Sequence, residues 1–203
     1  MQFTPAAPSD LDPAVTCLAA AFSEDPITGF LLQGGPHYQH HVTQFFSLLM
    51  RARIALGMPV LVARDGARLQ GAAMGYTTAR PVWPAAITED WNRFENANPG
   101  LADRMARYDE IAEKYKPPAP HYYLGVIGMD PTLRGLGLGT RLLDLFCELS
   151  ARDPVSSGVY LETANPSNVR FYERAGFEET GRGSLGGATL RCMYLPHRPR
   201  HDA

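Results

Sequence analysis

The chain has 203 residues, 45% of them hydrophobic and 20% charged, with a formal net charge of −2. That size and composition predict one domain over residues 1–203 with a substantial core. The near-neutral balance supplies no general positive field for nucleic acid or an anionic membrane, no apolar run approaches a membrane span, and no basic-then-apolar leader opens the chain, so the expected compartment is the cytoplasm.

Asp12-Pro13 is suited to starting a helix, with Val15, Leu18, Ala19 and Phe22 on one face, and Ser23-Glu24-Asp25-Pro26 ends it. Phe30, Leu31 and Leu32 begin a second apolar patch. Val42, Phe45, Phe46 and Leu49 then recur at helical spacing to about Leu56, and His37, His40 and His41 read as the solvated start of that helix. Residues 60–64 and 69–77 read as strands around an Asp65-Gly66 hairpin signal.

From 79 to 120 the pattern changes. This stretch carries Trp83, Trp91, Phe94 and Tyr108 and closes on Lys116-Pro117-Pro118-Ala119-Pro120. Its spacing predicts helices over 87–96 and 101–115, inserted between two strands. The insertion serves either as a packed excursion or as the wall of a pocket. Residues 122–129 form the next expected strand. Beyond a glycine-rich turn, Leu138, Leu142, Leu145 and Leu149 make the apolar stripe of a helix, and a strand follows over 159–163. Asn165-Pro166 caps a short helix that Gly176 ends. Residues 177–180 and 189–195 close the fold as an antiparallel pair. The basic end around His197, Arg198, Arg200 and His201 reads as a frayed tail. Cys17, Cys147 and Cys192 are isolated, odd in number and without metal-ligand spacing, and are expected to be structural thiols.

The most informative stretch is HYYLGVIGMDPTLRGLGLGT, residues 121–140. Alternate glycines at a strand-to-helix junction let backbone N–H groups converge on an anion, and the helix start adds its partial positive charge. A phosphate or pyrophosphate is the expected occupant. A dinucleotide fingerprint needs G-x-G-x-x-G, and Gly139 comes one residue too early for it. A nucleoside-triphosphate loop needs Gly-Lys-Ser/Thr, which Gly139-Thr140-Arg141 does not supply. What fits is Arg/Gln-x-x-Gly-x-Gly/Ala, at Arg134, Gly137 and Gly139. Downstream, VYLETANPSNVRFYERAGF over 159–177 supplies a strand, a short helix beginning near an Asn, and a Tyr-containing segment ending in Gly-Phe. The two blocks, over roughly 122–177, resemble the GCN5-related N-acetyltransferases, and the wording of the second is most similar to the branch that includes puromycin-type acetyltransferases.

That resemblance implies an α/β fold, a central mixed and mostly antiparallel sheet flanked by helices, with the helical insertion between two central strands. It implies acetyl-CoA as co-substrate, no metal, a small-molecule amine as the acceptor, and direct attack of that amine on the thioester. The backbone of Ile127 and Met129 is expected to hold the pantetheine arm. Arg134, Gly135, Leu136, Gly137, Leu138, Gly139 and Thr140 are expected around the pyrophosphate, and Asn168 and Tyr172 beside the cofactor. Tyr172 is the expected general acid. A phenol keeps its proton at neutral pH, and the spacing places Tyr172 on a different face from Phe171 and Ala175. Relatives often carry a Glu on the strand before the glycine loop, where Gly125 stands here. Glu162, on the next strand, is the nearest carboxylate to serve as base, or it ends an exposed strand. His121 is a second candidate. Glu24 and Asp25 either attract a cationic amine or form a cap and turn. A reading from another class is a non-catalytic acyl-CoA sensor on the same fold.

Overall fold

The computed structural model describes residues 1–133 and 135–197. Arg134 and the basic tail from 198 onward, both singled out in the sequence, lie outside the described residues. The strands are β1 (Gln2–Pro5), β2 (Val60–Asp65), β3 (Arg68–Tyr76), β4 (Tyr122–Met129), β5 (Gly158–Thr163), β6 (Glu178–Leu185) and β7 (Ala188–Pro196). They make one seven-stranded sheet in the order β1-β2-β3-β4-β5-β7-β6. Every neighbouring pair is antiparallel except β4 with β5.

Period-2 alternation divides the strand residues between two layers. Val60, Val62, Ala72 and Met74 pack with α1 (Leu11–Ala21) and α3 (Tyr38–Ala55). Leu61, Ala73, Val159, Leu161 and Met193 face the other way, onto α6 (Leu138–Arg152) and α7 (Pro166–Arg174). The apolar stripe of α6 anchors through Leu142, Leu143 and Phe146, all fully buried. The predicted insertion is present as α4 (Ala85–Asn96) and α5 (Leu101–Tyr115) between β3 and β4. Its second helix lies on β6 and β7, over Tyr160, Leu190 and Cys192. Close approach there needs Gly181 and Gly183, since a Cβ at either would overlap Tyr115 or Ile111 at under 3.0 Å.

Three elements differ from the sequence expectation. β1 is four residues long with no apolar alternation, so nothing local announced it, and it is held by pairing with β2. Residues 26–32 form a helix, α2 (Pro26–Leu32), because the Asp25 carboxylate accepts from the amides of Ile27 and Thr28 at 3.0 Å each. β6 runs past Thr180 to Leu185, since its polar, glycine-rich second half takes its order from the β7 ladder. His197, expected in a frayed tail, is tied by its amide to Ser157 O at 2.8 Å and by Nε2 to Ser150 Oγ at 3.0 Å. Among the described residues, no single helix is long and apolar enough to cross a membrane.

Candidate active site

The register of the β4–β5 pair defines the site. Only two rungs join these parallel strands, Tyr122 with Val159 and Tyr123 with Tyr160. From Leu124 to Met129 the β5-facing edge of β4 has no strand partner, while its other edge stays zipped to β3 from Gly71 to Tyr76. The central sheet is therefore split into a wedge whose lips carry unpaired main-chain groups, open to receive an extended chain.

A bulge sets which side chains look into each layer. Met74 pairs with Val126 but Gly75 pairs with Leu124, so Gly125 is an extra residue on β4. Side-chain parity flips across it. Tyr122 and Leu124 lie on the α6 side, Val126 on the α1–α3 side, and Ile127 and Met129 return to the α6 side as half-buried neighbours of that core.

At the wide end of the wedge, α6 starts on Gly137, whose φ is 74° and whose helix end no side chain caps. Gly135 is also left-handed, at φ 84°. A Cβ built on either would meet nothing within 4 Å, so the space beside the loop is open. The first turn thus presents backbone donors of a fifteen-residue helix to that space. Gly135, Leu136, Gly137 and Thr140 are exposed, Leu138 and Gly139 half-buried. These residues and the β4 edge suit a diphosphate joined to an extended polar arm, which is the shape of coenzyme A.

Asn165 caps α7 by accepting from the Ser167 amide at 3.0 Å, which leaves Asn168 half-buried on the helix. Tyr172 needs a correction to the spacing argument. It lies on the buried face with Val169, 6% exposed, whereas Phe171 is only partly buried. Both rings contribute to the core on this side of the sheet, the Tyr172 ring centre lying 5.1 Å from that of Phe171 and 5.6 Å from that of Phe177, each pair tilted. Burial, with the negative charge of Asp25, raises its pKa above the ordinary phenol value.

Glu162 faces the opposite layer. It alternates with Leu161 and Thr163, as the strand period requires, and opens with Tyr160 toward α5. Tyr108 of α5 donates to its carboxylate at 2.8 Å, and the Tyr108 and Tyr123 hydroxyls are 3.2 Å apart. Tyr160 donates instead to Ala112 O at 2.9 Å. Burial pushes the Glu162 carboxyl up to about 7, against the pull of the tyrosine hydrogen bonds. Glu162 and Tyr123 line a cleft of about 430 Å³ between the sheet, α5 and the proline-rich segment 117–120. The inserted helix is thus a pocket wall as well as packing.

His121 lines the same cleft with its Nδ1–H donating to Ala119 O at 2.8 Å, and burial lowers its pKa, so the ring is neutral. Asp25 serves as the α2 cap, and burial raises its pKa. Glu24 is exposed. Burial also lifts the three thiols, Cys17 and Cys192 to about 11 and Cys147 to about 12. His37 precedes α3 and His40 is exposed. Among the described residues no group of three or more His, Cys, Asp or Glu side chains is placed to hold a metal.

Comparison with known proteins bears on this site. The profile described as the Acetyltransferase (GNAT) family matches residues 35–177, well over half of the chain. The chain belongs to the GNAT family. The matched region holds the wedge, the glycine loop and the Glu162 cleft. An uncharacterised protein of Mycobacterium leprae is 31% identical over 121 residues, covering 56% of this chain and 30% of that one. An Agrobacterium fabrum acetyltransferase is 39% identical over 64 residues, covering 32% of this chain and 44% of that one. The chain thus spans less than half the length of these curated relatives. Among solved structures, the Corynebacterium glutamicum protein described as histone acetyltransferase HPA2 and related acetyltransferase superposes with a TM-score of 0.73 at 22% identity, over 98% of both chains. A Drosophila melanogaster polyamine N-acetyltransferase, which forms N-acetylagmatine, superposes with a TM-score of 0.67 at 17% identity, over 97% of this chain and 99% of that one. At these identities the likeness establishes the GNAT fold alone.

The tyrosine enclosure was the part of the site that sequence reasoning missed. Tyr123 and Tyr160 sit directly across from each other on β4 and β5, so strand pairing would have placed them beside Glu162. Tyr108 lies 54 residues from Glu162 on an inserted helix, and no local pattern links them.

Proposed function

We propose that this GNAT-family chain is an acetyl-CoA-dependent N-acetyltransferase acting on a small-molecule amine in the cytoplasm, by direct transfer. The single observation that carries the reading is the wedge: β4 unzips from β5 after two rungs and leads to an uncapped helix start flanked by open glycines. The unpaired edge at Ile127 and Met129 would hold the pantetheine arm. The amides of residues 135–140, with Arg134, would hold the pyrophosphate, and Asn168 would hydrogen-bond the arm. The wording of the 159–177 block supports a place near the puromycin-type branch, hence a small acceptor rather than a protein tail.

Bound acetyl-CoA would supply an activated acetyl group as a thioester, so that transfer makes one N–C bond and breaks one C–S bond. Glu162 is the base in this reading. With a pKa near 7 it is ionised often enough to accept the ammonium proton and basic enough to hold it. The hydrogen bond from Tyr108 fixes its carboxylate. Tyr172 stands on the other layer of the sheet, protonated at neutral pH, and would give its proton to the departing thiolate. Amides of the bulged β4 strand would meet the developing oxyanion. With all three thiols protonated near neutral pH, the chain offers no ready thiolate nucleophile for a covalent acyl intermediate.

The test is release of free thiol from acetyl-CoA when a varied amine panel is added, with the acetylated amine identified by mass. Amine-dependent release supports the reading. Coenzyme A binding with no release for any amine would favour the acyl-CoA sensor.

A further inference from the structure

The cleft before Glu162 also holds a guanidinium that proton transfer does not require. Arg80, in the turn after β3, lines the cleft. Its guanidinium donates to the carbonyls of Thr77 and Ala79 and lies 5.4 Å from the Tyr76 ring centre and 5.7 Å from that of Tyr123. These contacts fix the head group but leave it without an ion-pair partner among the described residues; Glu113 and Glu162 act on it only at longer range. Just beneath, Arg53 of α3 is 4% exposed and lies 4.6 Å from the centre of the same Tyr76 ring. It donates to Leu49 O at 2.9 Å, and its Nε has no hydrogen-bond partner. An unpaired buried guanidinium is costly, and so is a second one beside it.

Three acidic side chains, Asp109, Glu113 and Glu162, line the cleft, but none forms an ion pair with either guanidinium among the described residues. Glu113, at the rim, is ion-paired with Lys116. Asp109 lines the cleft from α5 but forms no ion pair among the described residues. Glu162 is spoken for by the tyrosines and must change its own charge during the reaction. A di- or polycationic acceptor would add positive charge to two fixed guanidiniums. A molecule that carries its own carboxylate would instead neutralise one of them.

The geometry points to a small amino-carboxylate as the acceptor, its carboxylate held by Arg80 and its amine delivered to Glu162. Tyr123 sets the span: Arg80 lies over its ring, and its hydroxyl joins Tyr108, which bonds Glu162. Amine and carboxylate are therefore received at neighbouring points of the cleft, both beside Tyr123. Arg is suited to the task because its planar fork can take a carboxylate bidentately. The assignment rests on the transfer reaction proposed above. In that reaction the ammonium gives one proton to Glu162, the amine nitrogen bonds to the acetyl carbon as the C–S bond breaks, the sulfur takes a proton from Tyr172, and the second proton lost by the nitrogen restores the Tyr172 phenol.

The experiment uses the full chain, acetyl-CoA and matched acceptors: phenylalanine, phenylalanine amide and phenethylamine; γ-aminobutyrate and butylamine; and spermidine as the polycation. In each set turned over, the carboxylate member is expected to have at least tenfold higher kcat/KM. Arg80→Ala should cut that ratio toward one, chiefly through KM, and Arg80→Lys should retain part of it. Melting temperature and coenzyme A affinity report whether each variant is folded, and Arg80→Lys carries the test if the alanine variant is not. Preference for spermidine or for carboxylate-free amines, or a ratio unmoved in folded Arg80 variants, overturns the acceptor class and leaves the transferase reading standing. No turnover of any acceptor by a protein that binds coenzyme A overturns both.

Discussion

Replacing Glu162 with Gln should stabilise the protein and abolish its activity together. The carboxyl is raised from the ordinary 4.5 to about 7, chiefly by burial. The folded state therefore holds the proton more tightly than the unfolded chain does. Stability contributed by this group is fully present below pH 4.5, falls as pH rises toward 7, and is lost above it. Closing that gap is worth about 3 kcal/mol. Gln keeps an acceptor for the Tyr108 hydroxyl and never ionises. In urea denaturation the wild type should lose about 1–3 kcal/mol between pH 4.5 and 8, on the same linkage argument. The variant should lack that slope and be the more stable protein at pH 8. Its kcat/KM should fall by about 10²-fold or more, the usual worth of a positioned base. The wild-type rate should climb on the acid side through about pH 7. A variant that is active, or less stable at pH 8 than the wild type, would refute the assignment of Glu162 as a buried base.

Three further substitutions probe other parts of the account. Gly137→Val puts a β-branched residue at φ 74°, a strain of about 1–2 kcal/mol, and crowds the anion cradle. Coenzyme A affinity by calorimetry should drop at least tenfold, and unchanged affinity would remove the loop from the site. Tyr172→Phe should lower kcat at least tenfold while the coenzyme A Kd stays within threefold. Full turnover would leave Tyr172 as packing only. Phe146→Ala empties a fully buried site that packs on Tyr122 and clamps α6 to the sheet. A loss of about 3–5 kcal/mol in urea denaturation is expected, and a loss under 1 kcal/mol would show that α6 is not fixed there.

The central strands were readable because β2, β3 and β5 are near-continuous apolar runs buried on both faces, and the α6 stripe because its leucines follow the helical period. β1 and the distal half of β6 were not, since both owe their order to a partner strand rather than to their own composition. The glycine loop was evident from spacing alone, but the wedge beside it was not. A parallel pair that stops after two rungs leaves no trace in either strand's residues. Tyr172 shows the limit of helical spacing on a nine-residue helix, where packing with Val169 and Phe177 rather than its own periodicity decides that it is covered. Glu162 could be placed on its strand and face, yet its raised pKa comes from burial in the tertiary structure, a long-range event that its Tyr108 hydrogen bond opposes.

The most direct measurement is a crystal structure of the chain with coenzyme A. The account predicts the diphosphate on the amides of residues 135–140 and the pantetheine arm along Leu124–Met129 of β4, in the opening toward β5. Coenzyme A bound away from that opening, or a β4 edge that closes onto β5 in its presence, would contradict it.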